Sequence, residues 1–415
     1  MNQPPIVIAV GYSVRSLVEA CSQAGLDCIA VDHFGDWDTR EFAKGRWIQL
    51  ELIDERFLAP ATMSAIKEVV TSCDAGNSFV FLQGGGMENL GEAVEQLRSI
   101  GTVLGPSESQ RSRLRDWKFL QSAARAAGIQ FPKTQAADDS NDFYSNLGIE
   151  RGLWKPLRGA GGLKIVRAEN GSATHSHGYW QQYIAGRQLG ISCAVDPRGC
   201  RVIGATRSLA ASNWPGPSEF IYRGSLGPVP LTDDALGQVT RLCELLQQQL
   251  DYCGLLQFDF IQDADGRLWL LECNPRWTAG IEVLLGHCED GELARELIDG
   301  VFLAALYSEP NPAFGNSYRR FAKAVVYARQ ELHLNEHAVH QLQLQSKCDT
   351  GGFTWLADIP YAAQTIELGH PIATVRTSVD ELLRMGSEAD IEARLLLKLR
   401  ACADRLHAII GCKYG

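Results

Sequence analysis

The residues best suited to chemistry sit in one stretch, 254–277, GLLQFDFIQDADGRLWLLECNPRW. Two apolar runs flank Asp265-Gly266, the pair that most favours a two-residue hairpin turn. With those two as the loop, Ala264 faces Arg267, and counting back sets Asp259 opposite Glu272 and Gln257 opposite Asn274. All four share one face, because strand side chains alternate. The two carboxylates repel each other, and no Lys or Arg stands at a neighbouring position on that face. A hard divalent cation such as Mg²⁺ or Mn²⁺ answers the repulsion, taking oxygens from one or two carboxylates and an amide while water and phosphates fill its other positions. Asp259, Glu272 and Asn274 are such a set. A hairpin end with its polar tips in water remains the alternative.

Such a hairpin needs elements to hold a substrate against it. Residues 4–10 (PPIVIAV) read as a buried strand, VRSLVEACSQAG has helical spacing, and DCIAVD reads as a second strand, a βαβ opening. Asp32 stands where a dinucleotide fold would hold a ribose. However, Gly11-Tyr12-Ser13-Val14-Arg15-Ser16 has one glycine where the fingerprint needs three, which argues against a nicotinamide cofactor. SFVFLQ (78–83) runs into Gly84-Gly85-Gly86 and a helix whose first turn carries Glu88. Glycines there let the backbone approach a ligand, so Gly85 and Glu88 are candidate substrate contacts. In GLWKPLRGAGGLKIVRA (152–168), Lys155 ends a strand and Gly159, Gly161 and Gly162 make a loop, with Arg158 beside it. N–H groups of such a loop can close over phosphates, with the lysine as a point charge. The loop is also the one cover the sequence offers for a water-sensitive intermediate. The Gly/Pro-dense segment 211–230 reads as a rigid loop with Arg207 and Arg223 as its cationic candidates. Helices are expected over 234–252 and 289–307, a linker at 309–312, then short strands and a closing amphipathic helix. His333, His337 and His340 would share a face only if helical, and their neighbours read equally well as strand.

Composition narrows the class. The chain has 415 residues, 45% apolar and 21% charged, as an ordered globular protein of two or three domains does. Its net charge of −10, without a Lys/Arg cluster, argues against nucleic acid. The early apolar run Ile6–Val10 is too short for a signal or membrane span and lacks a basic leader, so a cytoplasmic protein is expected. Twelve cysteines without one Cys-x-x-Cys suggest neither zinc nor disulfides, but small buried apolar residues.

Taken in order, these parts resemble the ATP-grasp superfamily, whose members mostly make amide bonds from a carboxylate and an amine. Asp259 followed by Glu272-x-Asn274-Pro275-Arg276 resembles its metal-binding hairpin, and Lys155-Pro156 with Gly161-Gly162 its glycine loop. The stretch 102–134, TVLGPSESQRSRLRDWKFLQSAARAAGIQFPKT, resembles the domain entry and places Lys118 where the first phosphate lysine stands. YWQQYIAGRQLGISCAVD (179–196) looks like the linker that binds adenine through backbone groups of Gln182, Tyr183 and Ile184. Two positions depart: Gln188 replaces the usual ribose carboxylate and Gln181 the usual linker acid, although amides can still hydrogen-bond both groups. The resemblance implies an α/β (α+β) fold: a Rossmann-like domain over 1–108, an ATP-grasp domain over 109–308, and a small β-rich domain over 313–415 ending in a helix. It implies ATP and Mg²⁺, small-molecule carboxylate and amine substrates, a possible homodimer, and no nucleic acid or membrane partner. Transfer of the γ-phosphoryl would make an acyl phosphate, which the amine attacks. Lys155 would hold phosphates and Arg276 the transferring group or oxyanion. Short ligases that join glutamate to tyramine in C1-cofactor (methanofuran-like) synthesis look similar in this core. Two alternatives are a carboxylase using bicarbonate, with biotin carried by another protein since no Met-Lys-Met is present, and a nucleotide-binding regulator without catalysis.

Overall fold

The computed structural model describes residues 5–72, 79–136, 151–159, 161–168, 177–197, 199–286, 319–346, 355–380 and 387–411. The opening βαβ reading is realised as a five-stranded parallel sheet in the order Trp47–Gln49, Cys28–Asp32, Ile6–Gly11, Phe79–Gln83, Thr102–Leu104. Every residue of Ile6–Gly11 is buried, as a parallel strand covered by helices on both faces must be. The chain runs outward in both directions from this central strand, so its crevice opens beyond the carboxyl ends of Ile6–Gly11 and Phe79–Gln83. Backbone bonds from Gly84 N to Val10 O (2.8 Å) and from Tyr12 N to Gly85 O (2.9 Å) tie the two lips together. Asp32 is wholly buried and accepts from Val14 N (3.0 Å) and Gly35 N (2.5 Å). It closes the turns around it, which leaves it no role with a ribose.

Two antiparallel sheets follow. A four-stranded one has the order Val166–Ala168, Gly152–Pro156, Gly178–Gln182, Thr134–Ala136. An eight-stranded one has the order Leu268–Asn274, Gly254–Gln262, Arg187–Asp196, Gly199–Ser208, Gly224–Gly227, Arg319–Tyr327, Pro371–Asp380, Leu356–Ala357. Period-2 alternation turns Leu189, Ile191, Cys193, Phe258 and Phe260 to one face, where the helices Trp117–Ala126 and Asp233–Leu250 pack over them. The opposite face carries Gln257 and Asp259. The second of these helices, expected over 234–252, starts one residue earlier because Thr232 Oγ1 accepts from Ala235 N and caps it.

The C-terminal strands do not stand apart: Arg319–Tyr327 pairs with Gly224–Gly227 and continues the large sheet, under the closing helix Glu388–Ile410 with Leu395, Leu399 and Leu406 buried. The expected helix at 289–307 and the linker at 309–312 lie outside the described residues. His333 stands on the strand Leu332–Leu334 and meets Thr365 Oγ1 at 2.9 Å, while His337 and His340 belong to the helix Glu336–Ser346, so the three make no common metal face. No helix among the described residues is long and apolar enough to cross a membrane.

A buried ionic cluster links the helix Arg15–Gln23 to the helix Ala279–Leu285 and the C-terminal strands. Arg15, 2% exposed, reaches Glu282 at 2.7 Å, Glu19 at 2.6 Å, Asp358 at 3.0 Å and Asp38 at 3.6 Å. Arg376 and Lys323 from the C-terminal strands complete the charge balance on Glu19 and Glu282.

Candidate functional site

The metal-type hairpin has the register that the sequence implies, reached by a different route. Gln257 faces Asn274 and Asp259 faces Glu272, but from Phe260 onward the pairing shifts by one, Phe260 with Leu270 and Gln262 with Leu268. The loop contains three residues, not two. Gly266 N bonds to Asp263 O (3.0 Å), and Gly266 sits at φ +81°, a turn followed by a left-handed glycine. Asp263 selects it: its carboxylate accepts from Asp265 N, Arg267 N and Trp269 Nε1, at 2.9–3.0 Å. A bulge at Leu271 then returns the extra residue, so Asp259 and Glu272 meet after all.

Burial pushes the Asp259 carboxyl up to about 8, with the charge of Glu272 and their shared hydrogen bond adding to the rise. Desolvation by the crevice walls also pushes Glu272 up. Lys155, hydrogen bonds with Asp259 and Asn274, and Arg115 together outweigh it and hold Glu272 below its ordinary value. Two carboxyls coupled in this way hold one proton between them near neutral pH. The relief comes from cations of other elements. Lys155, 6% exposed on the neighbouring sheet, is itself held below its ordinary value by burial, against the fields of Glu272 and Asp259.

The donor set fits Mg²⁺: two carboxylates and an amide, oxygens only, with no thiol or imidazole to favour a softer ion. Gln257 Nε2 orients Asp259 from 2.9 Å, and Thr278 Oγ1 in turn holds Gln257 Oε1. Asn274 directs its Nδ2 to Asp259 (3.2 Å) and Glu272 (3.3 Å), and its Oδ1 to Arg276 (3.4 Å). It becomes an oxygen ligand only with that amide reversed.

Arg276 forms a two-pronged ion pair with Glu88, Nε at 2.7 Å and Nη2 at 2.8 Å, and Gly85 lies beside its guanidinium. The glycine lip of the parallel sheet therefore meets the carboxylate hairpin through Glu88 and Arg276, two residues singled out for separate roles. Lys118 is exposed in the first turn of its helix, its Nζ 5.5 Å from the Trp117 ring centroid. Arg115, three residues earlier, is the cation of this segment whose field reaches Glu272, and its Nη2 bonds Leu157 O at 3.0 Å. No sequence signal distinguished it among the arginines of 111–115. Arg207 pairs with Glu392 of the closing helix. Arg223, 5% exposed, donates to the carbonyls of Ser218, Glu219 and Ile221, so it braces the 211–230 loop from inside. Neither arginine is a free substrate cation.

The glycine loop is docked. Tyr222 N bonds Gly161 O (2.9 Å) and Asn89 Nδ2 bonds Gly159 O (3.3 Å), which ties it to the 211–230 loop and to the parallel-sheet domain. Ala160 lies outside the described residues. Gly161 has φ +60°, so a proline there, fixed near −65°, would break the turn rather than stiffen it. Gly162, at φ +81°, packs so closely that a Cβ would overlap the Phe220 carbonyl oxygen. Gly162→Ala is therefore expected to lift the loop from residues 220–222, slowing turnover and releasing more ADP per product formed. An unchanged ADP-to-product ratio in a folded variant would show that the loop shields nothing.

At the linker, Gln182 N and Tyr183 N are occupied by Lys133 O (2.8 Å) and Arg151 O (3.0 Å). They are unavailable to a base. Ile184 N has no partner among the described residues. Gln181 is 1% exposed: its Nε2 donates to Thr134 Oγ1 (3.3 Å) while its Oε1 is buried without a donor. An exocyclic amine of adenine would satisfy that oxygen, so the glutamine departure fits a purine with an amino group. Gln188 is exposed at the start of its strand. Arg167, not singled out from sequence, pairs with Glu219 and lies 4.6 Å from the Tyr183 ring centroid, linking the 211–230 loop to the linker.

Residues 116–280 match the family model of the ATP-grasp domain, so this stretch of the chain is an ATP-grasp domain. The fold agrees. An N5-carboxyaminoimidazole ribonucleotide synthetase from Thermus thermophilus is 17% identical with a TM-score of 0.62, covering 97% of this chain and 98% of that one. An L-amino acid ligase from Bacillus licheniformis is 14% identical, TM-score 0.61, covering 96% and 98%. The biotin carboxylase domain of the Hydrogenobacter thermophilus 2-oxoglutarate carboxylase, in complex with MgADP and bicarbonate, is 12% identical, TM-score 0.64, covering 90% and 86%. Among curated proteins none matches the chain.

Proposed function

We propose that this protein is an ATP-dependent ligase that activates a carboxylate as an acyl phosphate and joins it to an amine. The observation that supports this reading best is the convergence of Asp259, Glu272, Lys155 and the Glu88–Arg276 pair at the crevice between the parallel sheet and the large sheet. A carboxylate is a poor electrophile near neutral pH. An attack of its oxygen on the γ-phosphorus of ATP breaks the bond to ADP. The amine then adds to the acyl carbon, loses a proton, and phosphate leaves. The protein's part is positioning and charge neutralisation. Bound Mg²⁺ would neutralise the phosphate oxygens, held by Asp259, Glu272 and Asn274. Lys155 faces the same oxygens as a point charge, and Arg276, anchored by Glu88, offers its guanidinium edge to the developing negative charge. The substrate acid and amine would enter between Tyr12, Gly85 and Glu88, with the glycine loop keeping water from the acyl phosphate.

Lys155→Ala is expected to weaken ATP binding by roughly 1.5–3 kcal/mol, the worth of a charged contact, or about tenfold to somewhat over a hundredfold. Binding of the second substrate should change far less. Calorimetry giving an unchanged ATP dissociation constant would remove the residue from the phosphate site. The reaction is tested by measuring ADP release with a panel of acids, glutamate and bicarbonate among them, each with and without amines. ADP formed only when both an acid and an amine are present supports the ligase. Release driven by bicarbonate alone would favour a carboxylase, and no stimulated release at all would favour a regulator.

A further inference from the structure

On the face of the large sheet that turns away from Asp259 and Glu272, the fold assembles a group that no sequence spacing announced. Cys193 on Arg187–Asp196, Cys200 on Gly199–Ser208 and Cys243 on the helix Asp233–Leu250 place their three sulfurs within 4.8 Å of one another. Three elements contribute one thiol each, so the spacing in the chain, seven and forty-three residues, carries no motif. A bulge between Ser192 and Cys193 shifts the pairing of the two strands here, so that Cys200 lies opposite Val195 and diagonal to Cys193. Cys193 and Cys243 are fully buried, and Cys200 is half-buried beside the tip of its hairpin, where Asp196 and Glu244 lend a negative field.

We propose that Cys193, Cys200 and Cys243 form a binding site for a thiophilic d¹⁰ cation of the Zn²⁺ class, separate from the nucleotide site and held by three thiolates. A zinc ion about 2.3 Å from each sulfur needs sulfur–sulfur edges of about 3.8 Å, so side-chain rotations that close the group by at most about 1 Å suffice. Binding is ligand exchange, not redox: three S–H protons leave to solvent as three S–metal bonds form, and no oxidant is required. The half-exposed side of Cys200 gives the ion its entry and leaves a fourth position for water. A disulfide uses two sulfurs and strands the third, whereas one cation uses all three. Because the site joins two strands to the helix that covers them, its occupant would brace the sheet whose other face carries the carboxylate hairpin.

The test uses reduced, metal-free, full-length protein titrated with Co²⁺ and then Zn²⁺ under anaerobic conditions. A sulfur-to-cobalt charge-transfer band in the near ultraviolet, saturating at one equivalent and abolished by Zn²⁺, is expected in the wild type and equally in Glu272→Gln, which alters only the oxygen site. In Cys200→Ser the band should vanish and Zn²⁺ should bind at least about a hundredfold more weakly, since loss of a mere supporting contact already costs up to that much. Zn²⁺ should also shield the half-buried Cys200 of the wild type from alkylation, read by mass spectrometry, a measurement that needs no variant to fold. Absence of the band, a Zn²⁺ affinity unchanged in Cys200→Ser, or Cys200 alkylated equally with and without Zn²⁺ would each overturn the site.

Discussion

Glu272→Gln is expected to lose phosphoryl transfer while keeping its fold, with kcat falling by at least the 10²–10³-fold typical of deleting one element of transition-state charge stabilisation. The side chain is exposed at the crevice and glutamine has its shape, so no cavity is made. The substitution removes one of the two anionic ligands proposed for the metal and also the repulsion that adds to burial in raising Asp259. The unfolding midpoint in the absence of metal should therefore stay the same or rise while activity is lost, a combination that general damage to the fold does not give. ADP formation at limiting Mg²⁺ that matches the wild type would sink the metal assignment.

The second large effect is on stability. Arg15 is 2% exposed and faces Glu19, Asp38, Glu282 and Asp358, so Arg15→Met leaves buried carboxylates without their main counter-charge. Breaking one side of a buried ionic group costs about 3–5 kcal/mol. The pH dependence identifies the cause. Burial pushes Glu282 up, but Arg15, Lys323 and Arg376 outweigh it and hold the carboxyl far below its ordinary value of 4.5. A depressed acid stabilises the fold fully above its unfolded value, and that contribution is lost as pH falls below it. Asp38 behaves oppositely: burial raises it to about 6, so it contributes stability below its ordinary 3.8 that is lost as pH rises through 6. The stability gap between wild type and Arg15→Met should thus be largest near neutral pH and narrow below about 4.5. Urea unfolding at pH 7 and pH 4 measures it. A gap under about 1 kcal/mol at pH 7, or one that does not narrow in acid, would show that the cluster is not acting as a charge balance.

Much of the site was legible because it is local. The period-2 pattern through 254–274 placed Asp259 against Glu272, and strand-to-helix glycines marked Gly84–Gly86 and Gly159–Gly162 as backbone close to a ligand. Those readings depend on neighbours a few residues apart, which chain geometry fixes. Even here local preference points to the wrong loop length: Asp263, capping three donors, outweighs the Asp265-Gly266 preference, and the bulge at Leu271 hides the difference.

The sequence by itself determined the strands, the carboxylate pair and the glycine loops. Tertiary structure alone decided which charges answer one another. Arg276 pairs with Glu88 across 188 residues, Arg207 turns from the crevice to Glu392, Arg223 braces its own loop, and Arg115 rather than Lys118 bears on Glu272. Cys193, Cys200 and Cys243 likewise meet only once the helix Asp233–Leu250 lies on the sheet. The physical reason is that a long charged side chain or a buried thiol has no period of its own. Its partner is set by which elements the hydrophobic faces bring together, and that choice is made by the whole core at once.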